Sequence, residues 1–116
     1  MVILAASYGE GRRSNVFGTF EIGVKSDNGF VNVGSIGTGF SDLDLTRLTT
    51  KLRTIVEEYK DGRYVFLPRV VLEVKADLVS TDAKGNIGLR FPRMKRIRDD
   101  KFVADINTIE DVERLK

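Results

Sequence analysis

The feature that most constrains the fold is a strict alternation of residues from Val70 to Val79. One set is largely apolar (Val70, Leu72, Val74, Ala76, Leu78) and the other carries most of the charge (Val71, Glu73, Lys75, Asp77, Val79). A two-residue period is typical of a β-strand with one buried face. A second alternating segment, Phe17 to Lys25, is followed by Asn28-Gly29, a strong hairpin signal, and by a returning strand, Phe30 to Ile36. These segments predict a mainly β chain.

Three further segments complete the predicted elements. Val2 to Tyr8 is apolar and predicts a first strand. Ser41, with Asp44 three residues later, predicts a helix cap, and Phe40 before it predicts a hydrophobic staple against Leu45. Helical spacing then continues to the stop signal Asp61-Gly62 through Leu45, Leu48, Leu52, Ile55, Val56 and Tyr59. Thr108 predicts the cap of a short last helix, Ile109 to Leu115.

The order of the predicted elements indicates an OB-fold. Five strands, with one helix between the third and fourth and a short C-terminal helix, match this Greek-key barrel. A chain of 116 residues accommodates one domain but not two, so residues 1–116 are expected to form a single domain. No apolar run approaches the roughly 18 residues that span a bilayer, so no membrane partner is predicted. A fold of this kind does not by itself establish function.

The amino-acid composition excludes several kinds of active site. The chain contains neither cysteine nor histidine. A zinc site of the usual Cys/His type, a Ser-His triad and an imidazole general base are therefore excluded within it. The lack of disulfides permits a reducing compartment. No convincing set of metal ligands is visible, and no metal-binding residue is predicted.

Positive charge is concentrated in the stretch Leu89 to Lys101, which reads LRFPRMKRIRDDK. Residues 83–101 carry seven basic and two acidic side chains, a net charge of +5, whereas the whole chain carries +2. The cations of the stretch are Arg90, Arg93, Lys95, Arg96, Arg98 and Lys101. A strand anchored by apolar residues, with Phe91 in the core, would hold this charge toward an anion such as a phosphate. A solvated edge strand whose charges discourage aggregation is the alternative interpretation.

Part of this stretch resembles a known motif. RFPRMKRIRDDK, Arg90 to Lys101, is similar to the last of the motifs of ATP-dependent DNA ligases, whose core is written RxDK. Here that core is Arg98-Asp99-Asp100-Lys101. Met94 departs from the family pattern, which should alter packing more than chemistry. Three further segments occur in the family's order, namely ILAASYGEGRR (3–13), IGTGFSD (36–42) and LPRVVLEVKADL (67–78).

The resemblance implies the C-terminal OB domain of a larger ligase. The nucleotidyltransferase domain, with the lysine that takes AMP from ATP, is expected upstream and absent here, and the apolar start at Val2 is where it would join. In this family ATP adenylates the lysine, AMP passes to a 5′-phosphate at a nick, and the 3′-hydroxyl expels AMP. Such enzymes serve DNA replication, repair and recombination. The isolated domain is expected to be inactive alone.

The resemblance also implies roles for individual residues. Arg98 and Lys101 are expected to bind the β- and γ-phosphates of ATP, and Asp100 to orient them or to assist leaving-group geometry; these three are the predicted catalytic residues. Arg93 and Arg96 are further candidates for the same site. ATP would be bound mainly by the missing domain. Mg²⁺ is expected for the parent enzyme, with no ligands in this chain.

For the later steps, the OB domain of this family closes on the minor groove of the duplex. Arg12, Arg13, Lys84 and Arg90 are the predicted DNA contacts, although each is equally consistent with an ordinary solvated charge. The expected partners are nicked double-stranded DNA and the nucleotidyltransferase domain of the same parent chain, with a sliding clamp as a further candidate. The implied location is intracellular, either cytoplasmic or nucleoid-associated, or nuclear in a eukaryote.

Two alternatives stay open at this point. The chain could be a free-standing OB module that binds nucleic acid without a catalytic role. Single-strand binders rely on exposed aromatic residues, whereas most aromatic residues here occupy predicted core positions. The chain could also be the OB domain of an mRNA capping enzyme, although the RFPR…RIRDDK sequence fits a ligase better.

Overall fold

The structure, a computed structural model, describes residues 1–11, 14–100 and 103–114. The strands within these ranges are β1 (Val2–Tyr8), β2 (Phe17–Ser26), β3 (Gly29–Ile36), β4 (Val56–Lys60), β5 (Arg63–Phe66), β6 (Leu72–Lys75), β7 (Leu78–Thr81), β8 (Ile87–Arg90) and β9 (Arg93–Ile97). The helices are α1 (Asp42–Arg53) and α2 (Ile109–Glu113), with a 3₁₀ turn at Val103–Asp105. The strands outweigh the helices, so the mainly β prediction is confirmed. All strand-to-strand pairings in these ranges are antiparallel.

Five of these strands form a closed circuit. β1 pairs with β2, β2 with β3, and β6 with β9. Val2 of β1 bridges to Val71, immediately before β6. The circuit closes where the Met94 amide of β9 donates to the Thr38 carbonyl just after β3, at 3.0 Å. The order β1-β2-β3-β9-β6, with α1 between the third and fourth barrel strands in sequence, is the predicted OB-fold.

The barrel interior and one face of α1 form a single core. The fully buried side chains include Ile3, Phe17, Phe20, Ile22, Ile36, Leu45, Leu48, Leu52 and Leu72. α1 is joined to β2 by a buried hydrogen bond of 2.9 Å from the Phe17 amide to the Thr49 hydroxyl. The predicted cap is confirmed, because Ser41 and Asp44 form a reciprocal capping box with both bonds at 3.0 Å.

Phe40, which precedes the cap of α1, is buried in the core. Its ring centroid lies 4.9 Å from that of Phe20 on β2. This contact ties the entry of the helix to the barrel. The staple predicted between Phe40 and Leu45 stays a prediction.

The predicted end of the first helix was wrong. α1 ends at Arg53, and the following residues form β4, which pairs with β5 across Asp61-Gly62. Both turn residues have positive φ, 52° and 83°, as a tight hairpin turn with right-handed strand twist requires. Asp-Gly is thus a hairpin signal here, and Tyr59, predicted for the apolar helix face, is 58% exposed on an edge strand. The resulting sheet has the order β3-β2-β1-β5-β4.

The two longest predicted strands are each divided in the structure. The alternating segment 70–79 breaks after Lys75, so that β6 pairs with β9 while β7 pairs with β8 in a separate hairpin. The basic stretch breaks at Phe91-Pro92, because proline has no N–H to continue a ladder. The prediction that Phe91 is in the core was wrong, since its side chain is 68% exposed and its φ is 55°.

The C-terminal helix α2 begins at the predicted cap. The Thr108 amide donates to Asp111 at 2.9 Å, and the Asp111 amide donates to the Thr108 hydroxyl at 3.2 Å. A bridge between Lys25 and Thr108 attaches this segment to β2, and Val112 is buried. The predicted helix end, Leu115, lies outside the described residues. In the part of the chain that the structure describes, no helix has the length and apolar character to cross a membrane.

Candidate phosphate-binding site

The outward cations of β9 depend on an irregularity in its pairing with β6. Glu73 pairs with Arg96, but the next residue, Val74, pairs with Met94, so Lys95 has no cross-strand partner on β6. This bulge turns two consecutive cations, Lys95 and Arg96, outward. Met94 points inward and is 4% exposed. The bulge therefore allows more positive charge on the surface of β9 than strict alternation would.

Arg98 lies one residue beyond β9 and is held from three directions. Its amide donates to the Val71 carbonyl at 2.9 Å. Its Nε and Nη2 donate to the two oxygens of Asp100 at 3.0 and 3.1 Å. Its Nη1 is 3.5 Å from a Glu73 oxygen, and the side chain is 23% exposed. The guanidinium is therefore fixed in place and partly shielded, but it still reaches solvent.

Hydrogen bonding to Asp100 raises the pKa of Arg98, and the same contact is the main reason that the pKa of Asp100 falls to about 2. Both groups are therefore charged at neutral pH. A guanidinium has five N–H donors. Asp100 accepts from two of them and Glu73 faces a third, so that, within the part of the chain that the structure describes, two donors remain for an anion. Arg98 is thus an oriented cation whose charge is already partly compensated by Asp100 and Glu73.

Glu73 brings Arg96 and Arg98 together. Arg96 Nε donates to the Glu73 oxygen at 3.2 Å, the same oxygen that approaches Arg98. Arg93 is engaged elsewhere, because its Nη1 donates to Asp77 at 3.1 Å, just before β7. Of the two further phosphate candidates, Arg96 therefore shares a carboxylate with Arg98, whereas Arg93 belongs to the β7–β8 side.

Asp99 is a second acid that the sequence did not single out. Its Oδ1 accepts a hydrogen bond of 2.6 Å from Lys51 Nζ, and its Oδ2 accepts one of 3.1 Å from Arg47 Nη2. The Lys51 contact is the main reason that the pKa of Asp99 is lowered. Neither Asp99 nor Glu73 could have been found from spacing alone, because their partners come from distant segments.

Two of the four predicted DNA contacts, Arg90 and Lys84, belong to the β7–β8 hairpin and not to the Arg98 cluster. Arg90 ends β8, and Lys84 lies in the turn between β7 and β8, at the opposite end of β8. Both side chains are exposed, and among the described residues neither pairs with a carboxylate. Arg12, Arg13 and Lys101 lie outside the described residues.

Phe91 adds an aromatic side chain to this part of the surface. Its side chain is 68% exposed, and its backbone has a left-handed conformation that residues other than glycine adopt rarely. Its carbonyl accepts a hydrogen bond from Arg93 at 3.2 Å. The sequence signal was available in Pro92, which ends the strand before Phe91 can turn inward.

The cavities beside these residues are too small to enclose a nucleotide. The one next to Arg98 and Glu73 has a volume of about 100 Å³, whereas ligand pockets usually measure about 300–1,000 Å³. A larger cavity of about 340 Å³ lies on the β4–β5 hairpin and contains none of the predicted site residues. The described residues also include no group of three acidic side chains placed to hold a metal ion. The cluster around Arg98 can therefore contact a phosphate chain but cannot bury one.

Comparison with known proteins identifies the family of the chain. Residues 13–101 match the family model described as the C-terminal region of ATP-dependent DNA ligases. The chain belongs to this family. A DNA ligase of Methanococcus maripaludis strain C6 is 39% identical over 118 residues, covering 99% of this chain and 21% of the relative. A DNA ligase of Haloarcula marismortui is 39% identical over 117 residues, covering 98% and 21%. The ligase-family chain thus spans about a fifth of the length of these relatives.

Solved structures agree with the fold of this ligase-family chain. The ligase domain of LigD from M. tuberculosis has a TM-score of 0.76 at 23% identity, covering 90% of this chain and 36% of that one. A mycobacterial DNA ligase D complexed with ATP and MES has a TM-score of 0.69 at 19% identity, covering 92% and 36%. At these identities the likeness shows the fold alone.

Proposed function

We propose that this chain is one domain of a larger ATP-dependent DNA ligase and that it orients the pyrophosphate of ATP during enzyme adenylation. The observation that carries the proposal is the two-point hold of Asp100 on Arg98, which, together with the approach of Glu73, leaves two guanidinium donors without a partner among the described residues. The family match and the small share of the ligase relatives that the chain covers support a role as part of a larger enzyme. The small cavity beside Arg98 supports the view that most of the ATP site lies in another domain.

The chemistry of adenylation explains why a fixed cation is useful. The amine of the catalytic lysine bonds to the α-phosphorus while the bond to pyrophosphate breaks, so negative charge grows on the leaving group. Preoriented donors stabilise that charge without having to reorganise. The planar fork of Arg98 can bind two phosphate oxygens, and Lys101 would add a point charge. Asp100 keeps the guanidinium of Arg98 at a fixed angle. Arg96, which shares Glu73 with Arg98, is a further candidate for contact with the same phosphates.

For the steps on DNA, the proposal uses the surface around the β7–β8 hairpin. Arg90 and Lys84 suit phosphate contacts, because their side chains have no carboxylate partner among the described residues. Phe91, exposed beside Arg90, suits contact with a sugar or an unstacked base. Arg12 and Arg13 are further candidates for the backbone. These groups would bind a nicked duplex after the pyrophosphate has left.

The parent ligase requires more than this domain supplies. We propose Mg²⁺ for its reaction, although the described residues offer no ligand set for a metal and no step is assigned to one here. A sliding clamp is a further proposed partner. The proposed location is intracellular, either cytoplasmic or nucleoid-associated, or nuclear in a eukaryote.

The decisive experiment compares two bidentate arginine–carboxylate pairs in the full parent ligase. Arg98→Ala and Lys101→Ala should each slow the transfer of AMP to the enzyme by about 10²–10³-fold, as removal of one transition-state donor does. Arg63→Ala is the matched control, because Arg63 grips Glu21 at 2.6 and 2.9 Å in the same two-point manner on β5. Sealing of a nick that already carries AMP should be unchanged in all three variants. Normal adenylation in both test variants would refute the proposal.

The exposed Phe91 also favours a second candidate, a free-standing OB module that binds nucleic acid. The two functions are distinguished with the isolated chain. A ligase part should neither consume ATP nor seal nicks alone, and should bind single strands weakly. Tight single-strand binding by the isolated chain would favour the free-standing module.

A further inference from the structure

The turn after β9 is fastened to helix α1 through one carboxylate. Arg47 and Lys51 are four residues apart on α1, so their side chains project from the same face. Each contacts a different oxygen of Asp99, at 3.1 and 2.6 Å. Two contacts to two oxygens fix the plane of the carboxylate as well as its position.

The next residue, Asp100, binds a different partner from that of Asp99. Its two oxygens accept from Arg98, which also lies 3.5 Å from Glu73 of β6. The two consecutive acids of the turn are therefore held on opposite sides, because Asp99 is paired with α1 and Asp100 is paired with Arg98, which approaches β6. Asp99 is the link that connects the turn to α1 by a side chain, among the residues that the structure describes.

We propose that Asp99 is a positioning residue for adenylation, because its attachment to Arg47 and Lys51 sets the angle at which Asp100 presents Arg98 to the phosphates. The inference rests on the proposed function of Arg98. The RxDK motif leaves this position unspecified, so the motif assigns it no role. The predicted requirement is for a negatively charged residue here whenever α1 presents the two cations.

The exposure of the contacts separates positioning from folding. Asp99, Arg47 and Lys51 side chains are each about half exposed, at 51%, 52% and 51%. Exposed ion pairs of this kind contribute little to stability. A displacement of about 1 Å in a catalytic group can nevertheless cost about a hundredfold in rate. Loss of Asp99 should therefore affect the reaction much more than the thermal stability.

The test uses the full parent ligase and follows adenylation separately from the sealing of nicked DNA that already carries AMP. Asp99→Ala should slow adenylation about tenfold, a fraction of the loss expected for a displaced catalytic group. It should lower Tm only slightly and leave the sealing rate unchanged, and Asp99→Glu should restore part of the adenylation rate. The double variant Arg47→Ala/Lys51→Ala, altered only on the exposed face of α1, should show the same loss. Adding Asp99→Ala to it should cause no further loss, because the three residues act as one unit.

The possible failures are distinguishable. If Arg98→Ala slows adenylation but Asp99→Ala does not, the positioning role is wrong and the proposed function stands. If Asp99→Ala slows adenylation and sealing equally, or lowers Tm markedly, its role is structural and the inference is overturned. If neither Arg98→Ala nor Asp99→Ala affects adenylation, the proposed function itself fails. Arg63→Ala again serves as the control for loss of an ion pair elsewhere in the barrel.

Discussion

Asp100 grips Arg98 by two parallel hydrogen bonds, Nε to Oδ1 at 3.0 Å and Nη2 to Oδ2 at 3.1 Å. This arrangement orients the guanidinium before any substrate arrives, since a bidentate contact fixes direction as well as distance. It also lowers the local positive charge. The contact with Asp100 therefore favours a fixed orientation of Arg98 at the expense of part of its attraction for an anion.

Replacing Asp100 tests this interpretation. In the parent ligase, Asp100→Asn should slow adenylation, but by less than Arg98→Ala, because the amide keeps one acceptor and loses the charge. The loss should be about tenfold, which corresponds to about 1.4 kcal/mol in the transition state. Single-turnover measurement of AMP transfer checks the prediction.

The double variant is the control for this prediction. Arg98→Ala/Asp100→Asn should be no slower than Arg98→Ala alone, since Asp100 acts through Arg98. Independent, multiplicative losses would show that Asp100 contacts the substrate by itself.

The stability of the isolated chain should fall in acid partly because of Asp100. The Arg98 contact lowers the pKa of Asp100 to about 2 from its ordinary value of 3.8. A carboxyl group with a lowered folded pKa stabilises the fold fully above its unfolded value and loses that contribution as the pH falls through the folded value. The Asp100 contribution should therefore be complete above about pH 5 and decline toward pH 2. Urea unfolding of the wild type and of Asp100→Asn at pH 6 and pH 3 measures it.

The wild type should lose more stability between these two pH values than Asp100→Asn does. Asp99 and Asp111 also have lowered pKa values, through Lys51 and the Thr108 backbone respectively, so the variant retains part of the acid sensitivity. An identical pH dependence in both proteins would contradict the prediction.

Closure of the barrel should depend on the absence of a side chain at Gly39. A Cβ there would overlap the carbonyl oxygen of Met94, and the φ of Gly39 is 90°. Gly39→Ala should therefore lower the free energy of unfolding by about 3 kcal/mol or more, combining backbone strain with a steric clash. Chemical denaturation of the isolated chain provides the measurement.

Gly85→Ala separates the two contributions. Gly85 has a similar φ of 84°, but a Cβ there would meet nothing within 4 Å. Gly85→Ala should lower the free energy of unfolding by only about 1–2 kcal/mol, which is the cost of placing a residue other than glycine in the left-handed region. Equal losses for the two variants would mean that β9 can move away from Gly39 without penalty.

Phe91 should matter for binding DNA and not for folding. Phe91→Ala in the parent ligase should weaken binding to nicked duplex by about 1–3 kcal/mol if the ring stacks on a base. Fluorescence anisotropy with a labelled nicked duplex checks this. Because the ring is exposed and φ is positive, Phe91→Gly should keep or slightly raise the stability.

Leu43→Ala is the matched control for Phe91. Leu43 is also apolar and 69% exposed, but it lies on α1. Its replacement should leave DNA affinity unchanged. Equal affinity losses in the two variants would indicate a nonspecific effect of removing surface apolar area.

Local patterns were enough to predict the first three strands, both helix caps and the OB-fold class. The Asn28-Gly29 hairpin and the capping boxes at Ser41 and Thr108 depend on residues within a few positions of one another, so their chemistry can be recognised in the chain itself. The resemblance of Arg90 to Lys101 to a ligase motif likewise depends on consecutive residues.

The remaining features depend on pairing between distant segments. Asp61-Gly62 is compatible with the end of a helix and with a hairpin turn. The hairpin forms because β5 pairs with β1 and β4 can then pair with β5. The alternating segment 70–79 could not show that its halves pair with different strands. The more distant partners at the site come from β6 and α1, because barrel closure brings Glu73 beside Arg98 and brings Arg47 and Lys51 to Asp99. The charge of the site and the contact of Arg98 with Asp100 therefore lie within one short segment of sequence, whereas the approach of Glu73 and the attachment of Asp99 to α1 arise only from long-range packing.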